Sequence, residues 1–334
     1  MTQAMTSSTP MPTQTTTEMA YHEGRFCPFS EANISIKTHA FLYGTAIFEG
    51  IRGYWLPASE EVCLFRLREH YQRLLDNTKL YYLKPTRPTE QTVEGLIDLT
   101  TQLVTLNQHQ QDIYVRPSIY KTGLNITPSL ENTQTELCIW THPLGQYLDL
   151  TKGLKVCVSN WRRIDDNALP PRAKASANYL NTALMVTDSK AAGFDDAIAL
   201  NPDGTVSEGS AMNLFLVRHG KLITPAKTDN ILEGITRDTI VTIAKNELGI
   251  DTEQRSVDRT ELYMCDEAFF CGTGAQVAPI ASVDNRTIGD GTMGPITQQI
   301  QDLYFRVVRN ELPQYSHWCT RVHVPSQNHS PVGV

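Results

Sequence analysis

The chain has 334 residues, 40% of them apolar and 19% charged, with a formal net charge of −7. That size and balance fit a globular protein of two domains or one large one. They argue against nucleic acid as the main partner, and no apolar run approaches the roughly 18 residues of a membrane span. Seven cysteines form neither a Cys-x-x-Cys pair nor a zinc-type spacing, which predicts reduced, mostly buried thiols in a cytoplasmic protein.

Taken in chain order, residues 1–20 are rich in Thr, Ser and Pro, lack an apolar h-region and contain no arginine, so a disordered tail is expected there rather than a signal or transit segment. A first, smaller domain is expected over 21–142. In it, "FLYGTAIFEGIRGYWL" mixes β-branched, aromatic and glycine residues and reads as strand. "EVCLFRL" is a short strand, "REHYQRLLDNTKLYYL" and "TVEGLIDLTTQLVTLN" carry helical spacing, and "DIYVRPSIYKT" and "ELCIWTHPL" are strands. Pro143, Gly145 and Gly153 break the pattern, and 143–153 is read as an interdomain loop.

A larger domain is expected over 154–318. It opens with the strand "LKVCVSNW" and continues past a Pro-Pro break into a helix with Tyr179, Leu180, Ala183, Leu184, Thr187 and Ala191 on one face. "DDAIALNPDGTVSEG" and "NLFLVRHGKLITP" are hairpins around Asp-Gly and His-Gly turns. "ITRDTIVTIAKNELGI" is a helix that Thr236 can cap and Gly249 stops. "EAFFCGTGA" is a strand, "PITQQIQDLYFRVV" a helix, and 319–334 a loose tail. The fold class is mixed α and β, without the regular alternation of a Rossmann or TIM fold.

Three familiar motifs fail on inspection. "GTGAQV" starts like a dinucleotide loop, but Pro279 blocks the helix that must follow. "GSAMN" lacks the second glycine of a nucleophile elbow. No His-Glu-x-x-His or calcium loop is present, so no metal site is expected. What remains is Lys174 in "ALPPRAKASANYLNTAL", set among residues small enough to let a reactant approach, with Tyr179 five positions on and Glu208 in "TVSEGSAMNLF".

"FLYGTAIFEGIRGY", "YVRPSIY", "AKASANYLNTAL", "VSEGSAMNLF", "EGITRD" and "GTGAQVAPI", in that order, resemble the class IV pyridoxal-phosphate aminotransferases, and among them the branched-chain amino acid aminotransferases. The resemblance runs from about residue 20 to about 315. It implies a two-domain fold-type IV enzyme, with a smaller N-terminal α/β sandwich and a larger C-terminal α/β pseudo-barrel. Pyridoxal 5'-phosphate is the implied cofactor and a homodimer or hexamer the implied assembly, with no nucleic acid or membrane partner.

Residue by residue, the resemblance makes Lys174 the lysine that bonds the cofactor and then moves the proton between the substrate Cα and the cofactor C4′. Glu208 matches the carboxylate at the pyridine nitrogen, and Tyr179 the tyrosine at the cofactor's phenolate oxygen. Arg73, Ile235, Thr236 and Thr273 match the phosphate contacts, with Leu232 beside them. Substrate contacts are implied at Tyr43, Phe48, Arg52, Tyr114, Arg116, Tyr147, Thr273 and Gly274. Among these, Arg116 meets the distal carboxylate of glutamate and Tyr43 reaches into the neighbouring subunit's site. Gly274 stands where many relatives carry alanine, which leaves that loop freer. The implied reaction passes the amino group of L-leucine, L-isoleucine or L-valine to 2-oxoglutarate. D-amino acid aminotransferases and aminodeoxychorismate lyases share the fold and are the alternatives.

Overall fold

The computed structural model describes residues 18–131, 134–145 and 150–324. The expected interdomain loop therefore lies partly outside the described residues, as do residues 1–17 and 325–334 of the two expected tails.

The first part of the chain forms β1 (Met19–His22), β2 (Arg25–Pro28), α1 (His39–Tyr43), β3 (Ala46–Phe48), β4 (Ile51–Leu56), β5 (Glu61–Phe65), α2 (Leu67–Leu80), α3 (Val93–Asn107), β6 (Ile113–Lys121) and β7 (Thr135–Pro143). Residues read as one strand from Phe41 onward split instead: Phe41, Leu42 and Tyr43 end α1, which Gly44 closes in the left-handed region at φ 66°. The helices form where apolar residues recur at helical spacing: Leu67, Tyr71 and Leu74 are buried on α2, and Leu96, Leu103 and Val104 on α3. The Thr92 hydroxyl caps α3 by accepting from Gly95 N–H at 3.1 Å.

The second part forms β8 (Leu154–Arg162), α4 (Tyr179–Ala191), β9 (Asp196–Leu200), β10 (Val206–Gly209), β11 (Asn213–Arg218), β12 (Lys221–Thr224), α5 (Ile235–Leu248), β13 (Thr252–Gln254), β14 (Glu267–Gly272), β15 (Gln276–Val283), β16 (Arg286–Thr287), α6 (Pro295–Val308) and β17 (Cys319–His323). Two sheets result. The first has the order β17-β5-β4-β6-β7-β1-β2, with β3 also on β6; the second has β10-β9-β8-β15-β14-β11-β12-β13, with β16 on β15. The first is antiparallel throughout. The second holds one crossover that matters for the site: β8 and β9 run parallel, joined through α4.

The second sheet is covered on both faces, so its central strands are continuously apolar rather than alternating. On β11, Leu214 and Leu216 enter one cluster, while Phe215 and Val217 enter another beneath α5 and α6 with Ile240, Ile243 and Ile300.

Two expectations are corrected. Residues 319–323 are not a loose tail but an edge strand. β5 needs a partner along its open side, and Val322 and Val324 alternate into the first core cluster. Cys63 and Cys319, on those neighbouring strands, form a disulfide across 256 residues of sequence, leaving five cysteines free rather than seven. α4 forms where helical spacing placed it, and the face that carries Leu180 is largely open: Leu180 is 68% exposed, and Met185 and Ser189 are the buried positions. Among the described residues, no helix is long and apolar enough to cross a membrane.

Candidate active site

A cavity of about 360 Å³ opens between the two sheets and takes its lining from both. Lys174 stands in it, in the β8–α4 crossover. It does not begin the helix: a 3-10 turn, Ser176–Asn178, separates it from α4. Its neighbours Ala173 and Ala175 are buried in the first core cluster beside Ile47. Ile47 also bridges to Ala175, and Phe48 N–H donates to the Lys174 carbonyl at 2.9 Å. The small residues flanking the lysine therefore let β3 lie against its main chain, which fixes where the side chain starts. Its Nζ donates to the Tyr179 hydroxyl at 2.7 Å and lies 5.1 Å from the centre of the Phe48 ring.

Glu208, on β10, is buried against Arg163, with Oε1 2.6 Å from Nη2. Its Oε2 accepts from Asn213 Nδ2 at 2.8 Å and from Leu232 N–H at 3.2 Å. Burial raises the carboxyl above the ordinary glutamate range, and the Arg163 charge opposes that rise. Asn213 also needs a glycine at 234, because a Cβ there would lie 2.0 Å from Asn213 Oδ1.

Another group of lining residues offers donors suited to an anion. Gly234, not Thr236, is the N-cap of α5; no side chain caps that end, so its first N–H groups are open, and Ile235 and Thr236 both line the cavity. Thr273, in the β14–β15 turn, lines it too. Arg73, from α2, closes the site, donating Nη1 to the Glu233 carbonyl at 2.7 Å. Its Nε and Nη2 each donate to Glu49 at 2.7 Å, and His70 Nδ1 lies 2.7 Å from the same carboxylate. Burial opposes ionisation of Glu49, yet Arg73 and the His70 hydrogen bond pull its carboxyl down to about 2. Burial lowers His70, so a neutral imidazole donates its Nδ1 proton to the carboxylate.

The remaining wall is aromatic. Facing residues on β6 and β7 pair Tyr114 with His142 and Arg116 with Trp140, and all four reach the cavity. Phe48 adds another ring, and Gly50 is required beside it, since a Cβ there would meet the Tyr114 hydroxyl at 2.5 Å. Arg116 lies over these rings, and its buried Nε has no hydrogen-bond partner among the described residues.

Lys174, Tyr179, Glu208, Arg73, Leu232, Ile235, Thr236, Thr273, Phe48, Tyr114, Arg116 and Gly274 are thus brought to one cavity. Arg52 is not: its guanidinium donates to the carbonyls of Leu144, Gly145 and Gly274, bracing the loops behind the wall. Tyr43 points away, donating to the Ile126 carbonyl at 2.5 Å. Tyr147 lies outside the described residues. Arg163, Glu49, His70, Trp140 and His142 were missed. Trp140 and His142 alternate along β7 as Tyr114 and Arg116 do along β6, and the register between the two strands, once known, finds them; nothing local marked the others, which meet their partners only through the tertiary fold.

A profile of the amino-transferase class IV family matches residues 46–283. The chain belongs to the class IV aminotransferases. This aminotransferase is 42% identical to a protein of Aquifex aeolicus named probable branched-chain-amino-acid aminotransferase, over 92% of its own length and 97% of the relative's. Its fold matches the holo, PLP-form branched-chain amino acid aminotransferase of Thermobaculum terrenum with a TM-score of 0.86 at 40% identity, covering 92% and 98% of the two chains. It also matches the branched-chain aminotransferase of the thermophilic archaeon Thermoproteus uzoniensis, solved with norvaline, with a TM-score of 0.85 at 38% identity, covering 91% and 98%. Its architecture is accordingly that of the two-domain fold-type IV enzymes.

Proposed function

We propose that this class IV aminotransferase is a branched-chain-amino-acid transaminase that uses pyridoxal 5'-phosphate. It passes the amino group of L-leucine, L-isoleucine or L-valine to 2-oxoglutarate, reversibly and by a ping-pong route. The observation that carries the reading is the Lys174 amine held 2.7 Å from the Tyr179 hydroxyl, in one cavity with a buried Glu208 and an anion site.

The donor set fits the cofactor. The uncapped start of α5, Arg73 and the Thr273 hydroxyl suit a phosphate. Glu208 suits the pyridine nitrogen, and Tyr179 the phenolate oxygen. Pyridoxal 5'-phosphate, when bound, supplies an aldehyde for amine exchange and a ring that takes up the electrons released at the substrate Cα. The protein's own groups do the rest. The Lys174 amine takes the proton from the substrate Cα and would deliver it to the cofactor's C4′ carbon, the reverse transfer serving the second half-reaction. Tyr179 orients that amine, and Glu208 holds a proton at the ring nitrogen while Arg163 keeps the carboxylate available. The aromatic wall excludes water from an aliphatic side chain, and Arg116 meets the distal carboxylate of glutamate or 2-oxoglutarate.

A homodimer is the minimum active unit in this reading. Phe41, Tyr43, Leu124, Ile126 and Leu180 are all exposed apolar or aromatic side chains. Tyr43 bonds Ile126, and a Cβ on Gly44 would lie 3.1 Å from Ala177, three residues before Leu180. An apolar surface of this kind beside a catalytic lysine suits a second copy. The deciding assay supplies L-Leu, L-Ile, L-Val or D-Ala with 2-oxoglutarate and reads the glutamate formed. The three L-substrates react; turnover of D-alanine alone overturns the assignment.

A further inference from the structure

Glu49 takes no direct part in the chemistry just described, and its side chain is fully buried. A buried carboxylate needs partners, and this one has three hydrogen bonds, from Arg73 Nε, Arg73 Nη2 and His70 Nδ1. We propose that Glu49 is a positioning residue for the cofactor phosphate: it clamps the Arg73 guanidinium side-on so that the donors left over face the anion site. The inference rests on the reading of Arg73 as a phosphate ligand.

The geometry follows from counting donors. A guanidinium has five N–H groups in a rigid fork. Glu49 occupies one on Nε and one on Nη2, and the Glu233 carbonyl occupies one on Nη1. Two remain, one on each terminal nitrogen, on a residue that lines the cavity. These are the donors that the arginine can offer an anion in the cavity. Glu49 is itself fixed from two sides. His70, buried on α2 one turn before Arg73, donates to it, and the Glu49 N–H donates to the Pro117 carbonyl at 3.0 Å. The residue before it, Phe48, bonds the Lys174 carbonyl at 2.9 Å. One short segment therefore sets both the phosphate arginine and the lysine main chain.

Charge and orientation make opposite predictions, which gives the test its edge. Glu49→Gln removes a buried negative charge near the anion site, and by Coulomb attraction alone phosphate binding tightens. If Glu49 acts by orienting Arg73, binding weakens instead, because Gln faces donors with a donor of its own. The full-length chain, stripped of cofactor, is titrated with pyridoxal 5'-phosphate and separately with pyridoxal, which lacks the phosphate, and binding is followed by intrinsic fluorescence. Glu49→Gln raises Kd for pyridoxal 5'-phosphate roughly tenfold, the scale of one charge-assisted hydrogen bond, and leaves Kd for pyridoxal unchanged. Glu49→Asp keeps the charge but retracts the carboxylate by one methylene; it shows the same selective loss at smaller scale and replaces the Gln variant should that not fold. Unchanged or tighter binding of pyridoxal 5'-phosphate, or equal weakening of both probes, overturns the proposal. Arg73→Ala separates the two levels. If it erases the preference for the phosphorylated probe while Glu49→Gln does not, only the role of Glu49 fails; if it leaves the preference intact, the reading of Arg73 fails as well.

Discussion

The Arg116 guanidinium carbon lies 3.8 Å from the centre of the Phe48 ring. The rings of Tyr114 and Trp140 stand farther off, at 5.5 and 6.0 Å. A cation over aromatic faces is stabilised without an anion, so the arginine can rest against the rings while an aliphatic side chain fills the pocket. A distal carboxylate offers a stronger partner and draws it off. Arg116→Ala therefore costs more with L-glutamate as amino donor than with L-leucine. The expected gap in kcat/KM is about 10–100-fold, the range of a lost charge-assisted hydrogen bond. Equal losses for the two donors would falsify the assignment of Arg116 to the distal carboxylate.

Lys174→Ala removes the one amine held against Tyr179. Turnover falls to background, while the melting temperature stays close to that of the parent chain, because the side chain is only half-buried and the flanking alanines keep their packing. A variant that still transaminates at the parent rate rules out the role of Lys174.

Much of this site was legible before the fold was known, and the reason is chemical. Lys174, Tyr179 and Glu208 share one cavity, and each sits in a short stretch that resembles the family's, so their order along the chain carries the information. Periodicity likewise located α2, α3, α5 and α6, whose buried faces recur at helical spacing. It located α4 as well, although an apolar face on a helix does not say whether it meets this chain's core or another chain; Leu180 there faces outward. It failed at β17, where a strand of five residues pairs with β5 more than 250 residues away in sequence, a contact no local pattern encodes. The ion pairs Arg163–Glu208 and Arg73–Glu49 were hidden for the same reason: each joins residues more than 20 positions apart that only the tertiary fold brings together.

The Arg163–Glu208 contact has a pH signature. Burial raises the Glu208 carboxyl, and Arg163 is the charge that most opposes the rise. Without that charge the folded-state value moves up further, so the carboxylate form is lost at a higher pH than in the parent. Arg163→Gln is therefore impaired most at acidic and neutral pH and recovers as the pH increases. The acidic limb of its kcat–pH profile lies above that of the parent chain. A uniform loss at every pH, with the limb unmoved, would show that Arg163 serves packing alone.

The exposed face of α4 can be tested together with the assembly. Leu180 is 68% exposed, Ile126 80% and Phe41 66%; the bond from Tyr43 to Ile126 joins α1 to the loop that carries Ile126, and Gly44, which closes α1, packs against Ala177 just before α4. Burying a leucine is worth about 1.5–3 kcal/mol, and a charge in its place within an apolar interface costs more than that gain. Sedimentation of the parent chain should give a dimer or a multiple of it, and Leu180→Asp should shift the distribution toward monomer. Activity should fall with the loss of dimer and return as protein concentration rises, because each site awaits the neighbour's Tyr43. Full activity in a monomeric Leu180→Asp chain would show that one copy suffices, and Tyr43 would then have no part in the reaction.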